Sequence, residues 1–217
     1  MKTNEIALSY EFFPFFLSAF SSFSKVSLSP LPMSFSSVTI ALETIQSKKG
    51  EAMQPFLRPM KEEEYPLLSD FLYEAIFVPA GVAAPPRSVL SCPELQVYIA
   101  HFGTGLDDHC FVAEQDGALL GAVWVRKMQD YGFVDCTMPS LAIALYPAYR
   151  TQGLGTALLK KMLAFLQSKG YPGVSLSVQK ENPASRLYLS LGFVVVKETE
   201  EEWVMVHTFS ALPKNKR

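Results

Sequence analysis

The sequence predicts an α/β domain, and three observations predict it. Strand-like and helix-like segments alternate from about residue 53 onward. Asp116-Gly117 stands between two apolar stretches and marks a β-hairpin. The short, wholly apolar run 141–145 leads through Pro147 and a turn with two glycines into an amphipathic helix, as a buried strand feeding a helix would.

The elements follow in order. Residues 56–60 read as a first strand. Residues 61–77 read as a helix, with Glu62, Glu63 and Glu64 complementing its dipole and Leu68, Phe71, Leu72, Ala75 and Ile76 forming an apolar stripe. Pro79, Gly81, Pro85 and Pro86 make 78–87 a loop, and Pro93 suits the first turn of a second helix reaching about residue 102. Residues 108–115 and 118–128 are the two hairpin strands, and 141–145 is a central strand. Residues 154–168 form a helix with Leu158, Met162, Phe165 and Leu166 on one face, stopped by Gly170. A strand at 173–178 and a helix at 183–191, with Ala184, Leu187, Tyr188 and Leu191 on one side and Gly192 at its end, come next. Strands at 193–197 and 203–208 close the domain.

Composition bounds the function. Hydrophobic residues are 49% and charged residues 18% of the 217, which is globular rather than disordered. A net charge of −2 supplies no basic face for nucleic acid. Cys92, Cys110 and Cys136 are odd in number, widely spaced and set among apolar residues. They read as reduced core thiols of a cytoplasmic protein. His101, His109 and His207 lack metal-ligand spacing, so no metal is expected. Residues 1–52 are rich in Ser and Phe without a sustained period, and read as a disordered extension or as translated sequence upstream of a start at Met53. Their apolar run 12–20 is too short to span a bilayer, is broken by Pro14 and lacks a basic flank, so no membrane is expected; an export segment is the remote alternative. The domain is expected over 53–210, with a basic tail at 211–217.

Phosphate chemistry is written into residues 145–156. A strand stops at Pro147, passes through a polar turn and enters a helix beside Gly153 and Gly155. Helix starts present free N–H groups and a positive dipole end to an anion, and glycine lets the backbone come close. Arg150 can add a charge-assisted contact. Neither a Gly-Lys-Ser/Thr ending nor a third glycine is present, so the two common nucleotide fingerprints do not fit, and a tight turn alone would also explain the glycines. A second cluster follows: Asn182-Pro183-Ala184-Ser185, Tyr188 and Gly192-Phe193.

Together these motifs resemble the GNAT N-acetyltransferase superfamily. Arg150-x-x-Gly153-x-Gly155 is similar to its pyrophosphate signature, and Asn182-Pro183-Ala184 with Tyr188 and Gly192-Phe193 to its later motif, over about residues 55–208. The resemblance implies a mixed, twisted sheet of about seven strands flanked by about four helices, with strands 4 and 5 splayed to admit acetyl-CoA. It implies that Ile143 and Leu145 pair with the pantetheine amides. The N–H groups of Thr151, Gln152, Gly153, Leu154, Gly155 and Thr156 would wrap the pyrophosphate, with the Arg150 and Gln152 side chains at its edge and Ser185 near the cofactor's outer end. Asn182 would cap the following helix or bond the pantetheine arm. Tyr188 would protonate the departing thiolate, although it also completes an apolar stripe. A backbone N–H near Leu145 would polarise the thioester carbonyl.

The family's usual carboxylate at strand four is missing from Met138-Pro139-Ser140-Leu141, which leaves Asp135 as the nearest acid and Asp130 and Glu198 as more distant ones. The amine acceptor is expected against residues 77–87, Trp124 and Tyr131, and a small amine, amino acid or peptide amino terminus suits that apolar loop. The implied activity is acetyl transfer to a primary amine by direct attack. The alternative is an acyl-CoA-binding regulatory protein of the same fold with weak or no turnover, and the resemblance allows a homodimer.

Overall fold

The computed structural model describes residues 54–209. The expectations for residues 1–52 and for the tail at 211–217 lie outside them. Seven strands form one sheet: β1 (Phe56–Pro59), β2 (His109–Gln115), β3 (Ala118–Arg126), β4 (Ser140–Leu145), β5 (Gly173–Gln179), β6 (Val194–Glu198) and β7 (Glu202–Thr208). Their order is β1-β2-β3-β4-β5-β7-β6, so the apolar strand β4 is central. Every neighbouring pair is antiparallel except β4 and β5. Four α-helices flank the sheet: α1 (Leu68–Ala75), α2 (Pro93–Gln96), α3 (Leu154–Ser168) and α4 (Ala184–Ser190).

Side chains of a strand alternate between faces, and the core divides accordingly. Val112, Ala122 and Trp124 pack with Leu68, Phe71 and Leu72 of α1 on one face. Phe111, Val123 and Val125 pack with Leu158, Met162 and Leu166 of α3, and with Tyr188 of α4, on the other. The hairpin turns at Asp116 and Gly117, with φ of 50° and 80°, the left-handed pair that a tight two-residue turn requires.

Two helices depart from the sequence reading. Residues 61–77 are not one helix, because Glu62–Leu67 is a 3₁₀ segment and α1 begins only at Leu68. Pro66 has no N–H for the α-helical ladder and its ring would clash one turn back. The second helix ends at Gln96 and continues as turns. His101 leaves helical geometry at φ of 52°, and side chains of β3 bond the carbonyls of these turns. Arg126 Nη1 donates to Val97 O (3.0 Å) and Ala100 O (2.9 Å), and Trp124 Nε1 donates to Tyr98 O (3.2 Å). The thiols also differ from expectation: Cys110 is buried, but Cys92 is half-buried and Cys136 exposed. Among the described residues no helix is long and apolar enough to cross a membrane.

Candidate active site

β4 and β5 share a single register pair, Ser140 with Ser175, locked by a hydrogen bond from Ser175 N to Pro139 O (3.0 Å). Beyond that pair the strands diverge. On the other side β4 stays paired with β3 along its whole length, and Tyr146 N donates to Leu120 O. Antiparallel bonding alternates along a strand, so Ala142 and Ala144 also turn their N–H and C=O groups toward β3. The N–H and C=O groups of Ile143 and the N–H of Leu145 therefore turn toward the opening fork. These are the two residues singled out in the sequence, and what directs them is the sheet register.

The turn after β4 is a short 3₁₀ segment, Pro147–Tyr149, followed by Arg150 in extended backbone. Thr151 and Gly153 then take positive φ of 60° and 82° before α3 starts. The first bond of α3 runs from Ala157 N to Gly153 O (3.0 Å). Among the described residues, no protein acceptor takes the N–H groups from Thr151 through Thr156. Six consecutive free donors at a helix start make a cradle suited to an anion. At Gly155 a methyl group would lie 3.3 Å from Leu145 Cδ1 and 3.6 Å from Leu187 Cδ2, so the cradle, the end of β4 and α4 meet there.

The polar side chains of this turn face the protein. Arg150 Nε donates to Leu145 O (2.9 Å), and its Nη2 pairs with Glu74 Oε2 at the end of α1 (2.8 Å). Gln152 Nε2 donates to Ala148 O (2.8 Å), and Thr151 Oγ1 to Arg150 O (2.7 Å). Both long side chains thus brace the loop that presents the N–H groups.

Just before α4, Asn182 Oδ1 accepts the N–H of Ala184 (2.9 Å), the first residue of the helix, and among the described residues its amide N–H groups have no protein acceptor. Ser185 is buried in the first turn of α4. Tyr188 is 8% exposed and packs 5.7 Å from Phe193 between ring centroids. Burial pushes its phenol up to about 12, so it holds its proton at neutral pH. Apolar packing and a protonated hydroxyl therefore coexist in one side chain.

The carboxylates named as proton acceptors differ sharply in setting. Asp135 is spent on a local turn: its Oδ1 accepts the Thr137 N–H and hydroxyl and the Met138 N–H, which lower its pKa. Glu198 is paired with Lys180, which holds its pKa down. Asp130 is half-buried, accepting Tyr98 OH at 2.8 Å and Ser140 Oγ at 2.6 Å, and burial raises its pKa. Sequence reasoning missed Tyr98 and Ser140. A tyrosine past a short helix and a serine opening a strand carry no signal until the fold joins them. In the neighbourhood expected for the acceptor, Trp124 is fully buried under the turns after α2 and Tyr131 is exposed.

Comparison with known proteins accords with this geometry. Residues 82–193, half of the chain, match the model of the acetyltransferase (GNAT) family. The chain is 31% identical over 122 residues to a mycothiol acetyltransferase of Brachybacterium faecium, an alignment covering 56% of this chain and 36% of that protein. It is 38% identical over 97 residues to an N-alpha-acetyltransferase of Sulfurisphaera tokodaii, covering 40% of this chain and 57% of that one. The chain thus spans only about a third of the mycothiol acetyltransferase and little more than half of the second relative. Its fold is similar to that of the PaiA N-acetyltransferase of Thermoplasma acidophilum, solved in complex with coenzyme A. That match has a TM-score of 0.55 at 18% identity over 72% of this chain and all of the other. With the forked β4–β5 pair and the cradle at the start of α3 in place, the chain belongs to the GNAT acetyltransferase family.

Proposed function

We propose that the protein transfers an acetyl group from acetyl-CoA to a primary amine of a small molecule or peptide, by direct attack within a ternary complex. The observation that carries this reading is the run of N–H groups from Thr151 to Thr156 at the mouth of the β4–β5 fork. The cradle suits a pyrophosphate, and the inward-facing backbone of Leu145 and Ile143 suits the amides of a pantetheine arm. From Leu145 to Ser140 is five residues of strand, about 17 Å, comparable with an extended arm. Arg150 and Gln152 hold the cradle in shape, and the leftover Asn182 amide donors can meet the arm. Tyr188, protonated and on α4, would donate to the thiolate as the tetrahedral adduct collapses. A peptide amino terminus is favoured among acceptors by the similarity to an N-alpha-acetyltransferase.

One observation favours a second reading. β4 opens with Ser140 where many family members carry a carboxylate, which fits a protein that binds acyl-CoA without turnover. The test is to incubate the protein with acetyl-CoA and a panel comprising an alkylamine, an amino acid and a short peptide with a free amino terminus, while following thiol release. Release that depends on the amine supports transfer. Saturable acetyl-CoA binding with no release on any amine supports the second reading, and no binding overturns both.

A further inference from the structure

The closed end of the fork is built around a carboxylate that does not belong to β4. Ser140 and Ser175, the one register pair of β4 and β5, are each 1% exposed, and their hydroxyls lie 3.4 Å apart. Ser140 Oγ donates to Asp130 Oδ1 at 2.6 Å, while Tyr98 OH holds Oδ2 at 2.8 Å from the turns after α2. The loop carrying Asp130 is pressed onto β5 just past the fork. A methyl group at Gly132 would lie 2.9 Å from Leu176 C and Ser177 N, so only glycine permits this approach. Asp130 itself is half-buried, bonded on one oxygen to the closed end of the fork, and the next residue, Tyr131, is 40% exposed.

We propose that Asp130 is the proton acceptor for the incoming ammonium group, held at the closed end of the fork by Tyr98 and Ser140. The inference rests on the acetyl-transfer reading above and names the base that β4 itself does not supply. The ammonium gives one proton to Asp130, directly or through the Ser140 hydroxyl, which passes its own proton on as it receives one. The neutral amine then forms a C–N bond to the thioester carbonyl, and the C–S bond breaks. The thiolate takes the Tyr188 proton, and the second nitrogen proton restores the phenol, so the net products are amide, free thiol and one proton released from Asp130. Both hydrogen bonds favour the ionised carboxylate, yet burial outweighs them and keeps its basicity above that of an exposed aspartate. The titratable groups beside it are Tyr98 and Tyr131; Glu202 at the start of β7 acts on both phenols, and Glu94 and Cys92 at the start of α2 act on Tyr131.

The test compares wild type and Asp130→Asn with two nucleophiles: the fastest amine of the panel above, and hydroxylamine, which is already unprotonated at neutral pH. Acetyl-CoA binding is measured alongside by calorimetry. The expected result is a loss of about 100-fold in kcat/KM for the protonated amine, with hydroxylamine turnover largely spared and acetyl-CoA affinity unchanged. The acid limb of the wild-type pH profile should also disappear. Tyr98→Phe, which removes a hydrogen bond from the ionised form, should move that limb to higher pH, and an unmoved limb overturns the proposal even if the Asn variant fails to fold. Equal loss with both nucleophiles, or no loss with either, overturns the Asp130 role while leaving acetyl transfer standing. Wild type that binds acetyl-CoA but releases no thiol overturns the transfer reading and this role with it.

Discussion

Arg150 Nη2 sits 2.8 Å from Glu74 Oε2, so the arginine of the turn that opens α3 is tethered to the end of α1. Its Nε also satisfies Leu145 O, the last carbonyl of β4. The guanidinium therefore ties strand, turn and helix together, while the backbone N–H groups are left to face an anion. The ion pair itself is half-exposed and is worth about 0–1 kcal/mol to stability.

Separate effects are expected from its two partners. Arg150→Ala should weaken acetyl-CoA binding about tenfold, because the cradle loses both a brace and a nearby positive charge. Glu74→Gln should strengthen binding by about twofold to fivefold at low salt, since a negative charge leaves the neighbourhood of the phosphates. Calorimetric titration with acetyl-CoA at two ionic strengths checks both. A weaker Glu74→Gln would show that tethering outweighs charge.

Gly153 and Gly155 should respond differently to alanine. Gly153 has φ of 82° with open space around the missing Cβ, so Gly153→Ala meets backbone strain of about 1–2 kcal/mol. Acetyl-CoA affinity should fall accordingly. At Gly155 the nearest atom to an added Cβ is the Leu145 Cδ1 at 3.3 Å, the end of a flexible side chain. Gly155→Ala should cost little by thermal denaturation, and the reverse order of severity would contradict the account of this turn.

Tyr188→Phe preserves the ring that packs on Phe193 and removes the proton that the proposed mechanism delivers to sulfur. Turnover should fall about 100-fold with thermal stability and acetyl-CoA affinity nearly unchanged. Because the phenol is pushed up to about 12, it should impose no basic limb on the rate below about pH 11. Unchanged turnover would remove Tyr188 from the chemistry and leave it a core residue.

Acid stability should depend on Glu64. Arg58 on β1 bonds Glu64 through both Nη1 (2.7 Å) and Nη2 (2.6 Å), and its Nε bonds Glu114 of β2. The guanidinium holds the Glu64 pKa down to about 2, against an ordinary value of 4.5. A depressed pKa means that this stabilisation is complete above the unfolded value and lost as pH falls from about 4.5 to about 2. Glu64→Gln should destabilise by about 1.5–3 kcal/mol at pH 7, and the gap to wild type should close across that window in denaturant titrations.

The helices and strands readable in the sequence were those whose pattern is set within one element. α3 is legible at 154–168 with its terminal glycine because a single stripe and a single stop signal define it. The hairpin is legible because positive φ at Asp116 and Gly117 is a local demand. The helix read at 61–77 failed at Pro66, a local signal outweighed by the longer apolar stripe. The helix read at 93–102 gives way after Gln96 to turns with His101 at φ of 52°, whose carbonyls meet Arg126 and Trp124 of β3, contacts that no window of sequence contains.

The same division runs through the site. Family, order of elements and the glycine turn that opens α3 were legible in the sequence, because a glycine pair at a helix start and an Asn-Pro-Ala helix entry are local chemical requirements. Only the tertiary structure decided that Ile143 and Leu145 turn their backbone into the fork, that Arg150 faces Glu74, and that Asp130 rather than Asp135 or Glu198 lies at the closed end. Those facts depend on strand register and on side chains meeting across 10 to 76 residues of chain. Long-range contacts of that kind are made only when the whole sheet forms, so composition, spacing and periodicity carry no record of them.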